Sequence, residues 1–140
     1  MGYAAARKFC ESGYRVFGID RRPLCELPID YFSVDITDSA SIEETRVKLS
    51  AEIKKLDGIL HFAGIYNLDS LVEISEEEFV RIFNINLFGI YRVNRAFVPM
   101  LRRGGRIVIT SSELAPLDPL PFTGLYAVTK SAVEKYAYSL

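Results

Sequence analysis

Tyr126 and Lys130 stand four residues apart in the run Tyr126-Ala-Val-Thr-Lys130. On a helix that spacing puts two side chains on one face, one turn apart. An ammonium beside a phenol favours the phenolate, so a tyrosine placed this way can give or take a proton near neutral pH. Alone the pair is weak. The sequence has 8 Tyr in 140 residues, and chance supplies about 0.3 such pairs. A packed tyrosine beside a surface lysine explains it equally well.

Other polar residues fall where chemistry would need them. Ser111 and Ser112 follow the apolar run Arg106-Ile-Val-Ile-Thr, which reads as a strand. Ligands of open parallel sheets bind at the carboxyl ends of strands, where a hydroxyl can hydrogen-bond a substrate oxygen. Serines also end strands with no such duty. Asp20 closes Val16-Phe-Gly-Ile, 18 residues after Gly2. An acid about 20 residues beyond a dinucleotide-binding glycine can accept hydrogen bonds from a ribose; an ordinary strand-end turn is the plainer reading. Asn84-Ile-Asn86-Leu-Phe-Gly89 lies inside a long helical pattern. Asparagine is a poor interior residue there, so a kink or a polar insertion is expected. Asn94 could as well be solvated, and His61 reads as a core or strand-end histidine.

The elements that would position these residues alternate. Residues 2–12 read as a helix, with Tyr3, Ala6, Phe9 and Cys10 on one face and Gly13 as its stop. Strands are expected at 14–20 and 31–36, separated by a connector holding Pro23 and Pro28. A charged helix should begin near Thr37-Asp38-Ser39 and run to about Leu56, with Ser41 and Glu44 at capping-box spacing. Gly58 to Ala63 reads as a buried strand. Ser75 should cap a helix with Glu76, Glu77 and Glu78 in its first turn, running to about Arg103 and ended by Gly104-Gly105. A fourth strand follows at 106–111. A loop with Pro116, Pro119 and Pro121 comes next, then a helix from about Leu125 to Leu140. This order argues for an α/β fold, a doubly wound parallel sheet with helices on both faces, as one domain over 1–140.

Composition narrows the function classes. With 17 Lys+Arg against 18 Asp+Glu, nothing suggests a nucleic-acid surface. No apolar run approaches the ~20 residues of a membrane span, and Arg7, Lys8 and Glu11 break any signal-peptide pattern. Two cysteines, Cys10 and Cys25, make no disulfide framework. A single histidine excludes a histidine-built zinc site and a histidine triad. A cytoplasmic protein is expected.

Taken together, Asp20, Val34-Asp35, Ala63-Gly64, Asn86-Leu-Phe-Gly, Ser112 and Tyr126-Ala-Val-Thr-Lys130 resemble the short-chain dehydrogenase/reductase family, in its compact, non-extended branch. The agreement is in order and approximate spacing along nearly the whole sequence. The resemblance implies a Rossmann-like sheet and hydride transfer between a nicotinamide cofactor and a secondary alcohol or ketone. It implies that Tyr126 is the general acid/base. Lys130 would assist Tyr126 and hold the nicotinamide ribose, Ser112 would polarise the substrate oxygen, and Asn86 would anchor a water that relays protons to Lys130. Gly2, Asp20, Arg21, Val34, Asp35, Ala63 and Gly64 would line the cofactor's path. Asp20 repels a 2′-phosphate, which favours NAD over NADP, and Arg21 and Arg22 soften that preference. Family members commonly pair through helices corresponding to Phe79–Leu101 and the one from Leu125, so a homo-oligomer is implied.

The sequence departs from the family pattern at both ends. Met1-Gly2-Tyr3 resembles the tail of a Thr-Gly-x-x-x-Gly-x-Gly motif, without the first strand and the other glycines. That strand would lie centrally, between those at 14–20 and 58–63. No counterpart follows Leu140 for the last strands and the substrate-covering loop. The chain is therefore read as an incomplete Rossmann-like domain, part of a larger protein, unable to catalyse as it stands. His61-Phe62 stand where the family commonly has Asn-Asn. The competing readings are a non-catalytic relative that binds a nucleotide or a partner, and a truncated chain with no function. Leu114, Leu117, Leu120 and Phe122 hint at a hydrophobic substrate, although leucines that merely pack the loop explain them as well.

Overall fold

The computed structural model describes residues 1–23, 26–68, 70–116 and 122–140. Cys25, Leu117, Pro119, Leu120 and Pro121, on which expectations fell, lie outside the described residues. The elements run helix α1 (Gly2–Glu11), strands β1 (Phe17–Asp20) and β2 (Asp30–Ser33), helix α2 (Ser39–Glu52), strand β3 (Leu56–His61) and helix α3 (Glu76–Phe83). A π-helical segment (Asn84–Phe88), helix α4 (Gly89–Phe97), a 3-10 turn (Val98–Met100), strand β4 (Leu101–Ile109) and helix α5 (Gly124–Tyr138) complete the order.

Strand β1 pairs in parallel with β2, from Phe17 opposite Asp30 to Asp20 opposite Ser33. Strand β3 pairs in parallel with β4, from Leu56 opposite Leu101 to His61 opposite Ile109. Among the described residues the two pairs are not hydrogen-bonded to each other. This is the Rossmann-like arrangement without its central strand. One core nevertheless joins both pairs. Ile42 and Leu49 of α2 and Ala96 and Phe97 of α4 bury with Val34, Ile59 and Met100, and Phe17, Ile19, Leu56 and Leu101 pack against them. Apart from Ala96, each such buried side chain contributes about 1.5–3 kcal/mol of transfer free energy. Helix α1 carries no buried residue, although its start touches the end of β3.

Local chemistry explains most boundaries. Gly13 follows α1 at φ +85°, a conformation glycine adopts without strain. The Ser75 hydroxyl accepts from the Glu78 N–H at 3.2 Å, and Glu76 to Glu78 fill the first turn of α3. The expected capping box at Ser41 is not what starts α2. Asp38 caps it instead, accepting from the Ala40 N–H at 2.9 Å, and the helix ends at Glu52 rather than Leu56. The expectation of one helix to Arg103 is also corrected. The helix stops at Phe97, Pro99 falls in the 3-10 turn, and Leu101 already belongs to β4. Proline has no N–H for an intrahelical bond, and residues after it find partners on β3 instead. Gly104 sits within that strand at φ +79°.

Among the described residues, no helix is long and apolar enough to cross a membrane. No group of three or more His, Cys, Asp or Glu among them could hold a metal ion.

Candidate functional site

The carboxyl ends of β1, β3 and β4 carry Asp20, Arg21, Ala63, Gly64 and Ser112, while helices carry Gly2, Asn86, Tyr126 and Lys130 and the end of β2 leads into Val34 and Asp35. Asp20 is the last residue of β1. Its carboxylate accepts from the Arg22 backbone N–H at 3.0 Å and from the Arg22 guanidinium at 3.2 and 3.3 Å. Burial pushes its pKa up, but the Arg22 bonds and the charges of Arg22 and Arg21 outweigh that and hold it below the ordinary aspartate range. Arg22, not Arg21, makes the direct contact. Asp35 accepts from the Thr37 N–H at 2.8 Å and the Thr37 hydroxyl at 2.7 Å, which lowers its pKa. Val34 points into the core at 3% exposure.

Gly2 opens α1 at the end of β3. A Cβ on Gly2 would lie 3.4 Å from the Phe62 Cβ. The first N–H groups of a helix have no intrahelical acceptor and favour anions. Ala63 and Gly64 follow β3 and are exposed. A Cβ on Gly64 would stand 3.3 Å from the Asn86 Oδ1 and 3.8 Å from the Lys130 Nζ, so glycine keeps this cleft open.

Asn86 lies in the π-helical segment and is 1% exposed. Its Oδ1 accepts from the Ile65 N–H at 2.8 Å. Its Nδ2 donates to the Ile65 carbonyl at 2.9 Å and to the Thr129 hydroxyl at 3.1 Å. One buried amide thus clamps the loop after β3 to helix α5. Both of its donors are spent on protein, so any water beside it would rest on its remaining acceptor capacity or on backbone groups freed by the π-turn.

Tyr126 and Lys130 occupy the first two turns of α5. The Lys130 Nζ lies 5.7 Å from the Tyr126 ring centroid and donates to the Thr110 carbonyl at 2.7 Å. Lys130 is 5% exposed, and burial lowers its pKa from that of a free lysine. The loop after β4 is tied to the same helix. The Ser111 hydroxyl donates to the Glu134 carboxylate at 2.5 Å, and the Ser131 hydroxyl donates to the Ala115 carbonyl at 2.8 Å. Ser112 starts the turn between these ties, its Oγ accepting from the Leu114 N–H at 3.3 Å.

The structure therefore groups Gly64, Asn86, Tyr126 and Lys130, with Ser112 two residues beyond the carbonyl that holds Lys130. Asp20, Arg21, Val34 and Asp35 form a separate cluster at the end of the β1–β2 pair. Three contributors went unnoticed in the sequence. Ile65 and Thr110 act through backbone groups, which no residue type signals. Tyr66, whose ring meets that of Tyr126 edge-on with centroids 4.8 Å apart, had a signal: an aromatic two residues past Ala63-Gly64. His61 is a buried core residue as expected, with its Nε2 2.8 Å from the Asn94 Oδ1. Asn94 is itself 2% exposed, not solvated.

Comparison with known proteins adds three findings. Residues 1–140 match the family described as Enoyl-(Acyl carrier protein) reductase. A 3-ketodihydrosphingosine reductase of Bacteroides thetaiotaomicron is 28% identical over all of this chain, which covers 53% of that protein. A 2,3-dihydro-2,3-dihydroxybenzoate dehydrogenase of Escherichia coli is 29% identical over all of this chain, covering 57% of that protein. Among solved structures, ligand-free aldohexose dehydrogenase of Thermoplasma acidophilum superposes with a TM-score of 0.91 at 25% identity, over 99% of this chain and 55% of that one. The chain spans about half the length of the curated relatives it matches.

Proposed function

The chain belongs to the short-chain dehydrogenase/reductase family, and from that premise we propose that its protein interconverts a secondary alcohol and a ketone with a nicotinamide cofactor. The observation that carries this reading is the pair Tyr126 and Lys130 on one face of α5, with Lys130 buried and aimed at the end of β4. The residues fit such a cofactor. Gly64 leaves open a space beside the Lys130 Nζ that a side chain would fill, and Asp20 ends β1 as an ionised acceptor suited to a diol.

When bound, the nicotinamide supplies or accepts the hydride. Tyr126 exchanges the proton at the substrate oxygen, with the buried Lys130 one turn further along the same helix face. Ser112 donates a hydrogen bond to that same oxygen as charge develops on it. Asn86 keeps Ile65 and Thr129 in register, so that loop and helix face each other. Lys130 and Gly64 would hold the nicotinamide ribose, while Asp20, Arg21 and Asp35 would hold the adenosine half, with the Val34 backbone between them and its side chain in the core, and Gly2 would face the phosphates. The Asp20 carboxylate disfavours a 2′-phosphate, so NAD is preferred over NADP. Arg22 offsets part of its charge.

The test is Tyr126→Phe in the full-length protein that carries this sequence. Carbonyl reduction should fall by about 100-fold or more, while NADH binding stays close to that of the unsubstituted protein. Undiminished turnover would overturn the reading.

A further inference from the structure

Tyr66 stands at the one place where the described chain meets the face of Tyr126 with another aromatic ring. The two rings are edge-on, with centroids 4.8 Å apart and planes at 76°. The position of Tyr66 is imposed from behind, because the preceding residue, Ile65, is gripped at both its N–H and its carbonyl by the buried Asn86 side chain. Yet Tyr66 remains 50% exposed, so its ring lies against Tyr126 and is left half uncovered.

The surroundings share its character. Leu71 packs against the start of α5, where a Cβ on Gly124 would come within 2.7 Å of the Leu71 Cδ1. Leu71 is 46% exposed, and Leu68, Val72 and Phe122 are 64%, 91% and 61% exposed. Uncovered apolar side chains on the two segments that flank a site mark a surface made for an apolar ligand. Charge points the same way. Among the described residues, neither 65–80 nor 107–129 contain a Lys or Arg, whereas they contain Glu73, Glu76, Glu77 and Glu113, and Glu78, which pairs with Arg81. Lys130, beside Tyr126, is buried and bonded to the Thr110 carbonyl. Among the described residues of these two segments a substrate carboxylate or phosphate would find no cation to receive it, whereas a neutral ring needs none.

We propose that Tyr66 is a specificity-determining residue, an aromatic wall beside Tyr126 that selects a neutral, ring-bearing alcohol or ketone over an anionic or open-chain one. This rests on the reading of Tyr126 as the proton-exchanging residue. An edge or face contact with a substrate ring is worth about two- to thirteenfold in kcat/KM beyond area burial.

Acetophenone, 4-acetylbenzoate and 2-octanone serve as probes in the full-length protein that carries this sequence. Turnover is followed by cofactor oxidation, and binding by saturation-transfer NMR. Acetophenone should be preferred over both others. Tyr66→Phe should keep that preference, and Tyr66→Leu should lose it about two- to thirteenfold, chiefly through KM. Equal or better use of the carboxylate, or an unchanged preference in Tyr66→Leu, would overturn the proposal. The two readings fail separately. If Tyr126→Phe abolishes turnover while Tyr66→Leu alters neither preference nor binding, the wall falls and the chemistry stands. If nothing is turned over but acetophenone still binds in a Tyr66-dependent way, the wall stands and the chemistry falls.

Discussion

His61 shows how a single buried side chain ties the site to the rest of the molecule. Its Nε2 faces the Asn94 Oδ1 at 2.8 Å, while the Asn94 Nδ2 donates to the Tyr136 hydroxyl at 3.3 Å. With Asn94 oriented that way, the imidazole carries its proton on Nε2. The link runs from β3 through α4 to α5, and the His61 carbonyl accepts from the Thr110 N–H at 3.1 Å, beside the anchor of Lys130. Burial lowers the His61 pKa from 6.5, with the Asn94 bond opposing the shift. The unfolded chain therefore takes up a proton that the folded chain refuses. Stability should be unaffected above 6.5 and decline as pH falls from there through the lowered folded value. Denaturant midpoints at about pH 7.5 and about pH 5.5 should differ in the unsubstituted protein and differ less in His61→Gln. An equal difference in both would show that His61 is not the group responsible.

At the scale of elements, the join between the π-segment and α4 matters most, because it aims Asn86 at Ile65 and Thr129. Gly89 follows directly. A Cβ there would come 2.5 Å from the Ile36 Cδ1 and 2.9 Å from its Cγ1. Gly89→Ala should therefore force Ile36 or the helix aside and cost about 1–3 kcal/mol, read as a lowered denaturant midpoint at unchanged slope. An unchanged midpoint would mean that the close approach is relieved at no cost. Much at this scale was legible in advance. Ser75 with its three following acids marked the start of α3, and Asn84 with Asn86 marked the irregular turn. The end of α4 had a signal that the apolar run Phe97-Val-Pro-Met-Leu masked: Pro99 has no N–H for an intrahelical bond, and Leu101 pairs with β3 instead. The start of α2 was legible at Thr37-Asp38-Ser39, where Asp38 is the cap, although Ser41 with Glu44 offered a competing capping box. At the site, Tyr126, Lys130, Asn86 and Gly64 were legible as residue types in order. The grip on Ile65 and the anchor at Thr110 were not, since they use groups every residue has.

At the scale of the molecule, two parallel strand pairs share one core without bonding to each other, and their carboxyl ends hold two residue clusters. One, around Asp20, suits a ribose. The other, around Lys130, suits proton exchange. In the function proposed above, a dinucleotide long enough to reach both relates them. That relation is tested most directly by titrating the full-length protein that carries this sequence with NADH and with NADPH, following cofactor fluorescence, alongside Lys130→Met. The account predicts saturable binding of both, tighter for NADH, with NADH binding weakened by Lys130→Met while circular dichroism stays the same. Absence of saturable binding, or affinity indifferent to Lys130, would contradict it.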